Sequence, residues 1–176
     1  MTSPIAIREI NSSEAELYRD FFAVGLREDE DNFRISPSDD AVAPFPTRDR
    51  EDSFTLGAFS DHDLCGVVSF SRDGADREKL RHKGILFRMY VAEAFRGRRI
   101  AGMLIRAVLE RADRLGDIEQ INLTVVADNP KAKGLYERAG FRTFALEPRA
   151  IKWKGRYHDE YQMAYRMERF SLPEQA

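Results

Sequence analysis

The chain has 176 residues, 43% hydrophobic and 33% charged, with a formal net charge of −2. That length fits a single domain over 1–176 with a full apolar core, and the near-neutral balance creates no global field towards nucleic acid or an anionic membrane, so neither is expected as a partner. No basic start followed by an apolar run opens the chain, no stretch approaches the ~20 apolar residues of a bilayer span, and Cys65 is the only cysteine, so a cytoplasmic protein without intrachain disulfides is expected.

Ile5–Ile10 reads as a first strand, and Ser13 with Glu16 as a capping box opening a helix that carries Leu17, Phe21, Val24 and Leu26. Residues 28–52 are acidic and dotted with Pro37, Pro44 and Pro46, which indicates a loop holding at most one short helix. Phe54–Phe59 and Leu64–Ser71 form a hairpin about Ser60-Asp61-His62-Asp63, and Leu86–Val91 follows as a further strand. Arg99–Leu115 is the clearest helix, with Ala101, Leu104, Ile105, Val108, Leu109, Ala112 and Leu115 at helical period and Gly116 at its end. Gln120–Val126 is a strand. A short helix then has Asn129 at the N-cap, Pro130 in the first turn and Gly140 after its end. Phe141–Leu146 and Tyr161–Met167 complete the set as strands. The order βα–loop–βββ–αβ–αβ–β describes one α/β domain on a mixed sheet.

The chemistry concentrates where the strand ending at Val91 runs through Arg96-Gly97-Arg98-Arg99 into the amphipathic helix. The first amides of a helix lack partners within it and carry partial positive charge, so a phosphate placed there receives several N–H hydrogen bonds at once. Gly97 removes a side chain at the point of closest approach, and the arginines add full charges. Gly97 and Gly102 are spaced as in a Walker loop, but Met103 and Leu104 replace its Lys and Ser/Thr. The three glycines of a dinucleotide fingerprint are absent.

About thirty residues further on comes Asn129-Pro130-Lys131-Ala132-Lys133-Gly134-Leu135-Tyr136, followed by Gly140-Phe141. With both segments in view the chain resembles a GNAT-superfamily N-acetyltransferase. Arg96-Gly97-Arg98-Arg99-Ile100-Ala101 is similar to that family's pyrophosphate loop, Gln/Arg-x-x-Gly-x-Gly/Ala. Asn129, Ala132, Leu135, Tyr136, Gly140 and Phe141 are similar to its second motif, Asn-x-x-Ala-x-x-Leu-Tyr-x-x-x-Gly-Phe. The resemblance implies a central, mostly antiparallel sheet flanked by helices. It also implies acetyl-CoA as cosubstrate and direct transfer of its acetyl group to an amine, whether of a small molecule or a protein. A non-catalytic acyl-CoA sensor of the same fold is the alternative.

The resemblance places the pantetheine arm and thioester oxygen on main-chain groups of Met89, Tyr90 and Val91. It places the pyrophosphate on Arg96, Gly97, Arg98, Arg99, Ile100, Ala101 and Gly102, with further cofactor contacts at Asn129 and Ala132, and it makes Tyr136 the general acid. Arg99 departs from the pattern, standing where the family prefers glycine. The strong helical pattern from Ile100 onward places it in the first right-handed turn, where arginine costs little. The base stays open among Glu93, His158, Asp159, Glu160 and a water chain, with His82 a further acceptor-side candidate. The three histidines show no metal-ligand spacing, so no metal is expected. Glu28, Asp29, Glu30 and Asp31, with Asp39 and Asp40, suggest a cationic acceptor. Acceptor identity and oligomeric state stay open, a homodimer being one option.

Overall fold

The computed structural model describes residues 3–170. The first two residues, part of the start read as leaderless, and the last six lie outside the described residues. The strands are β1 (Ile5–Ile10), β2 (Ser53–Ser60), β3 (Asp63–Arg72), β4 (Lys83–Val91), β5 (Gln120–Val126), β6 (Arg142–Trp153) and β7 (Arg156–Arg166). They form one sheet in the order β1-β2-β3-β4-β5-β7-β6, antiparallel everywhere except between β4 and β5. The helices are α1 (Ala15–Glu28), α2 (Pro37–Val42), α3 (Ile100–Leu115) and α4 (Pro130–Arg138). None of the described helices is long and apolar enough to cross a membrane.

The helical period read over 99–115 buries Ile100, Leu104, Ile105, Val108 and Ala112 of α3 against β1 to β4, and α4 adds Tyr136 to the same apolar cluster. A second cluster on α1 joins Tyr18, Phe22 and Leu26 to Val67 and Tyr90 of the sheet. Gly25 lets α1 approach this closely, since a Cβ there would lie 2.7 Å from the Tyr90 ring.

Three local expectations are corrected. The buried face of α1 is Tyr18, Phe22, Gly25 and Leu26, whereas Leu17 and Val24 are exposed. The aromatic rings, larger than Leu and Val, take the core side of a helix whose apolar residues cover more than one face. The capping box does not form: Asn11 caps instead, accepting from the Ser13 amide, and a 3-10 turn over Ser12–Glu14 delays the helix to Ala15. The last two strands are longer than read, because β6 and β7 continue into a hairpin about Lys154-Gly155. The extension mixes exposed charged residues (Glu147, Arg149, Lys152, Arg156) with the buried polar His158 and Glu160, so it carries no alternating apolar signal.

Candidate active site

The parallel pairing of β4 and β5 covers only Lys83–Ile85 against Gln120–Asn122, after which the strands separate. Their second halves, 86–91 and 123–126, line a cleft of about 950 Å³ together with the α3 N-terminus, α4 and the loop after α1. A bulge in β4 sharpens the divergence. Arg88 and Met89 stand opposite one residue of β3, and Arg88 adopts the left-handed conformation at φ 53. The Ala92 amide donates to the Cys65 carbonyl at 3.1 Å, so alternation along the strand turns the Met89 and Val91 main-chain groups away from β3, to the cleft side. The Tyr90 side chain is held elsewhere. It is buried against α1, its hydroxyl donates to Glu28 at 2.8 Å, and burial beside that carboxylate raises its pKa.

At the α3 end, Gly97 has φ 81 with no atom within 4 Å of where a Cβ would stand. Arg99 is the N-cap residue at φ 62, ψ 13, a left-handed geometry and not the right-handed turn expected of it. The chain must reverse between the extended Arg96 and the helix, and the glycine position of the motif is where it does so. No side chain caps this end of α3, so its first-turn amides are directed at the opening lined by Arg96, Gly97, Arg99, Ile100, Ala101 and Gly102. Arg96 is fixed by Nε to the Val91 carbonyl (3.1 Å) and by Nη2 to Asp29 (2.5 Å). Arg98 lies outside both cleft linings, its guanidinium 5.0 Å above the Phe95 ring.

Asn129 caps α4 as expected, its Oδ1 accepting from the Ala132 amide at 3.1 Å, and both residues line the cleft. Tyr136 points into the cleft from the core side, its ring edge-on to Phe141 and its pKa raised by burial alone. Glu160 of β7 lines the same cleft, 1% exposed, with Arg34 Nε 3.1 Å from its Oε2. The alignment is not that of a hydrogen bond, and Oε2 has no such partner among the described residues. Burial raises the Glu160 pKa above the ordinary carboxylate value, and Arg34 offsets part of the rise.

Of the base candidates only Glu160 lines the cleft. Glu93 is exposed in the turn before α3, the Asp159 carboxylate accepts from the Arg149 amide, and His82 lies in an exposed turn. His158 is buried behind the cleft lining, Nδ1 3.5 Å from Asp128. The acidic run is consumed within the chain. Glu28 accepts from Tyr90, Asp29 pairs with Arg96, Glu30 with Lys154 at 2.6 Å and Asp31 with Arg156 at 3.7 Å. Asp39 accepts from Ser36, and the buried Asp40 holds Arg88 at 2.5 Å.

The sequence profile of the Acetyltransferase (GNAT) family matches residues 14–141. The chain belongs to the GNAT acetyltransferase family. It is 29% identical over 116 residues to the L-amino acid N-acetyltransferase AaaT of Escherichia coli (strain K12), covering 66% of this chain and 70% of that one. Among solved structures, a GNAT acetyltransferase from Streptococcus pneumoniae superposes with a TM-score of 0.76 at 23% identity, covering 93% of this chain and 99% of that one. Arabidopsis thaliana NAA60 in complex with acetyl-CoA gives a TM-score of 0.70 at 20% identity, with 93% and 99% coverage. This GNAT protein is thus an acetyl-CoA-dependent N-acetyltransferase, and its own residues fit that donor. The open space over Gly97, the uncapped α3 amides and the length of β4 that has no β5 partner are what a pyrophosphate and an extended amide-bearing arm require. Sequence reasoning missed Arg34 and the Arg88–Asp40 pair. Arg34 sits in a segment without periodicity, and the Arg88–Asp40 pair joins residues 48 positions apart, so no local signal distinguishes them from solvated charges.

Proposed function

We propose that the enzyme transfers the acetyl group directly to the neutral amine of a small acceptor, with Glu160 taking the amine proton and Tyr136 supplying a proton to the departing thiolate. The amine nitrogen attacks the thioester carbon, the C–N bond forms as the C–S bond breaks, and both protons end on stated atoms. One observation carries the reading: a buried phenol and a buried carboxylate line a single cleft. Raised by burial, the carboxylate is a stronger base than an ordinary glutamate. Main-chain groups of Met89 and Val91 would hold the arm and thioester oxygen, and the turn from Arg96 to Gly102 the pyrophosphate.

Direct transfer fits the place of Cys65, buried with its thiol donating to the Ala58 carbonyl at 3.1 Å and absent from the cleft lining. The E. coli relative is named for L-amino acids, which favours a small amine over a protein lysine. Composition supports a single cytoplasmic domain over 1–176 without nucleic-acid binding. Release of CoA thiol from acetyl-CoA, measured with and without a panel of small amines, tests the proposal. Acceptor-dependent release is expected. Binding of acetyl-CoA with no release for any amine would favour the acyl-CoA sensor instead.

A further inference from the structure

We propose that Arg34 and Glu160 together read a free α-amino acid, the guanidinium gripping its carboxylate while its amine lies at Glu160 Oε2. This rests on the amine-transfer reading above.

Glu160 is 1% exposed, and its Oε2 lacks a hydrogen-bond partner among the described residues. A carboxylate oxygen in that state is costly unless something brings it an N–H. Arg34 stands beside it at 3.1 Å through Nε, yet its own side chain is 59% exposed. No hydrogen bond engages its two Nη groups among the described residues, so the fork is open to the cleft that both residues line. A planar fork with free N–H groups binds a carboxylate bidentately.

The surrounding charges narrow the acceptor. Arg88 is spent on Asp40 and lies 5.2 Å over the Phe22 ring. Arg96 is spent on Asp29 and the Val91 carbonyl, and Glu30 on Lys154. Lys131 and Arg138, the other cations lining the cleft, lie on α4. Arg34 and Glu160 are instead one positive group and one negative group in contact, with the Arg34 Nη groups and Glu160 Oε2 free of hydrogen bonds among the described residues. An α-amino acid carries a positive and a negative group separated by a single carbon, in the complementary arrangement. A polyamine offers a second cation where the open partner is the Arg34 guanidinium, and like charges repel; a lysine side chain offers no carboxylate beside its amine.

The experiment compares a set of L-amino acids with the corresponding amino-acid amides as acceptors in the CoA-thiol assay, and includes spermidine. The amides have less basic amines, more of which are neutral, so intrinsic chemistry favours them. A carboxylate reader must overcome that advantage. The expected result is kcat/KM higher for the amino acids by about tenfold to a hundredfold, the size of a lost charge-assisted pair. In Arg34→Gln that ratio should fall towards one, chiefly through a raised KM for the amino acid, while Arg34→Lys should keep part of the preference. Arg34 is largely exposed on a loop, so these variants should fold. Equal use of amino acids and amides would overturn the inference and leave amine transfer standing. A preference that survives intact in Arg34→Gln would overturn the assignment to Arg34. No thiol release with any amine would remove the amine-transfer reading beneath both.

Discussion

Replacing Arg99 by glycine separates backbone strain from charge at the phosphate turn. Arg99 holds φ 62 and ψ 13, a conformation that costs an L-residue about 1–2 kcal/mol. Glycine removes that cost but loses roughly 0.5–1 kcal/mol through its greater freedom in the unfolded chain. The exposed Arg99 side chain does not cap the helix, so no further contact is lost. The net expectation is a gain of about 1 kcal/mol, which for a chain of this size raises Tm by about 2–4 °C. Acetyl-CoA affinity should move the other way, weakening by roughly three- to tenfold at low salt as one cation leaves the anion cradle, with the difference shrinking as salt is added. Arg99→Lys keeps both strain and charge and should change neither quantity much. Calorimetric melting of the three proteins and titration with acetyl-CoA at two salt concentrations complete the test. A glycine variant that melts at or below the temperature of the lysine variant would refute the strain argument. Unchanged acetyl-CoA affinity would remove Arg99 from the cradle.

Gly97→Glu would add an anion at φ 81 in the same turn, and acetyl-CoA binding measured by calorimetry should weaken by tenfold or more, about 1.4 kcal/mol. Tyr136→Phe keeps the ring against Phe141 but removes the proton: kcat should fall by about 10²–10⁴-fold, with acetyl-CoA affinity and Tm little changed. Glu160 must be ionised to act as base and its pKa is raised, so kcat/KM should fall with decreasing pH at values above the ordinary carboxylate range. Arg34→Gln removes an influence that lowers that pKa and should move the acidic limb higher still. Glu160 favours the folded state only below its raised pKa and opposes it as pH rises through that value, so Glu160→Gln should raise Tm at neutral pH while abolishing most activity.

What the sequence made legible is what local rules encode. The bounds of β5 (Gln120–Val126) and the caps of α4 follow from alternation and from Asn129-Pro130, and the structure reproduces both. The basic turn before α3 is visible because glycine and arginine cluster just ahead of a strong helical period. Its conformation is not, because whether Arg99 ends the loop or begins the helix depends on where β4 delivers the chain. The cleft is likewise invisible in either strand alone: it exists because β4 and β5 stop pairing after Ile85 and Asn122, a relation between residues 37 positions apart in the chain. The acidic run shows the same limit from the other side. Read as a free patch it suggests a cationic acceptor, yet partners as distant in sequence as Lys154 and Arg156 neutralise it. A carboxylate's role is set by what folds against it, and composition does not carry that information.

Desolvation accounts for both proposed proton carriers. The same buried cleft raises the Tyr136 phenol and the Glu160 carboxyl. For the glutamate a higher pKa means a better base, closer to the amine it must relieve of a proton. For the tyrosine the same direction keeps the hydroxyl protonated and ready to donate at any working pH, but it also weakens the phenol as an acid. A departing thiolate with a conjugate acid near pKa 8.5 in water would therefore draw only a hydrogen bond from it if the thiolate stayed solvated. If the bound cofactor and acceptor exclude water, burial disfavours the thiolate as it does the phenolate, so the two pKa values rise together and the gap between them grows less than the phenol's shift alone implies. Water exclusion is then the common requirement for the base and the acid. Substitutions that open the Arg34 side of the cleft to solvent should lower kcat even where no proton carrier is touched.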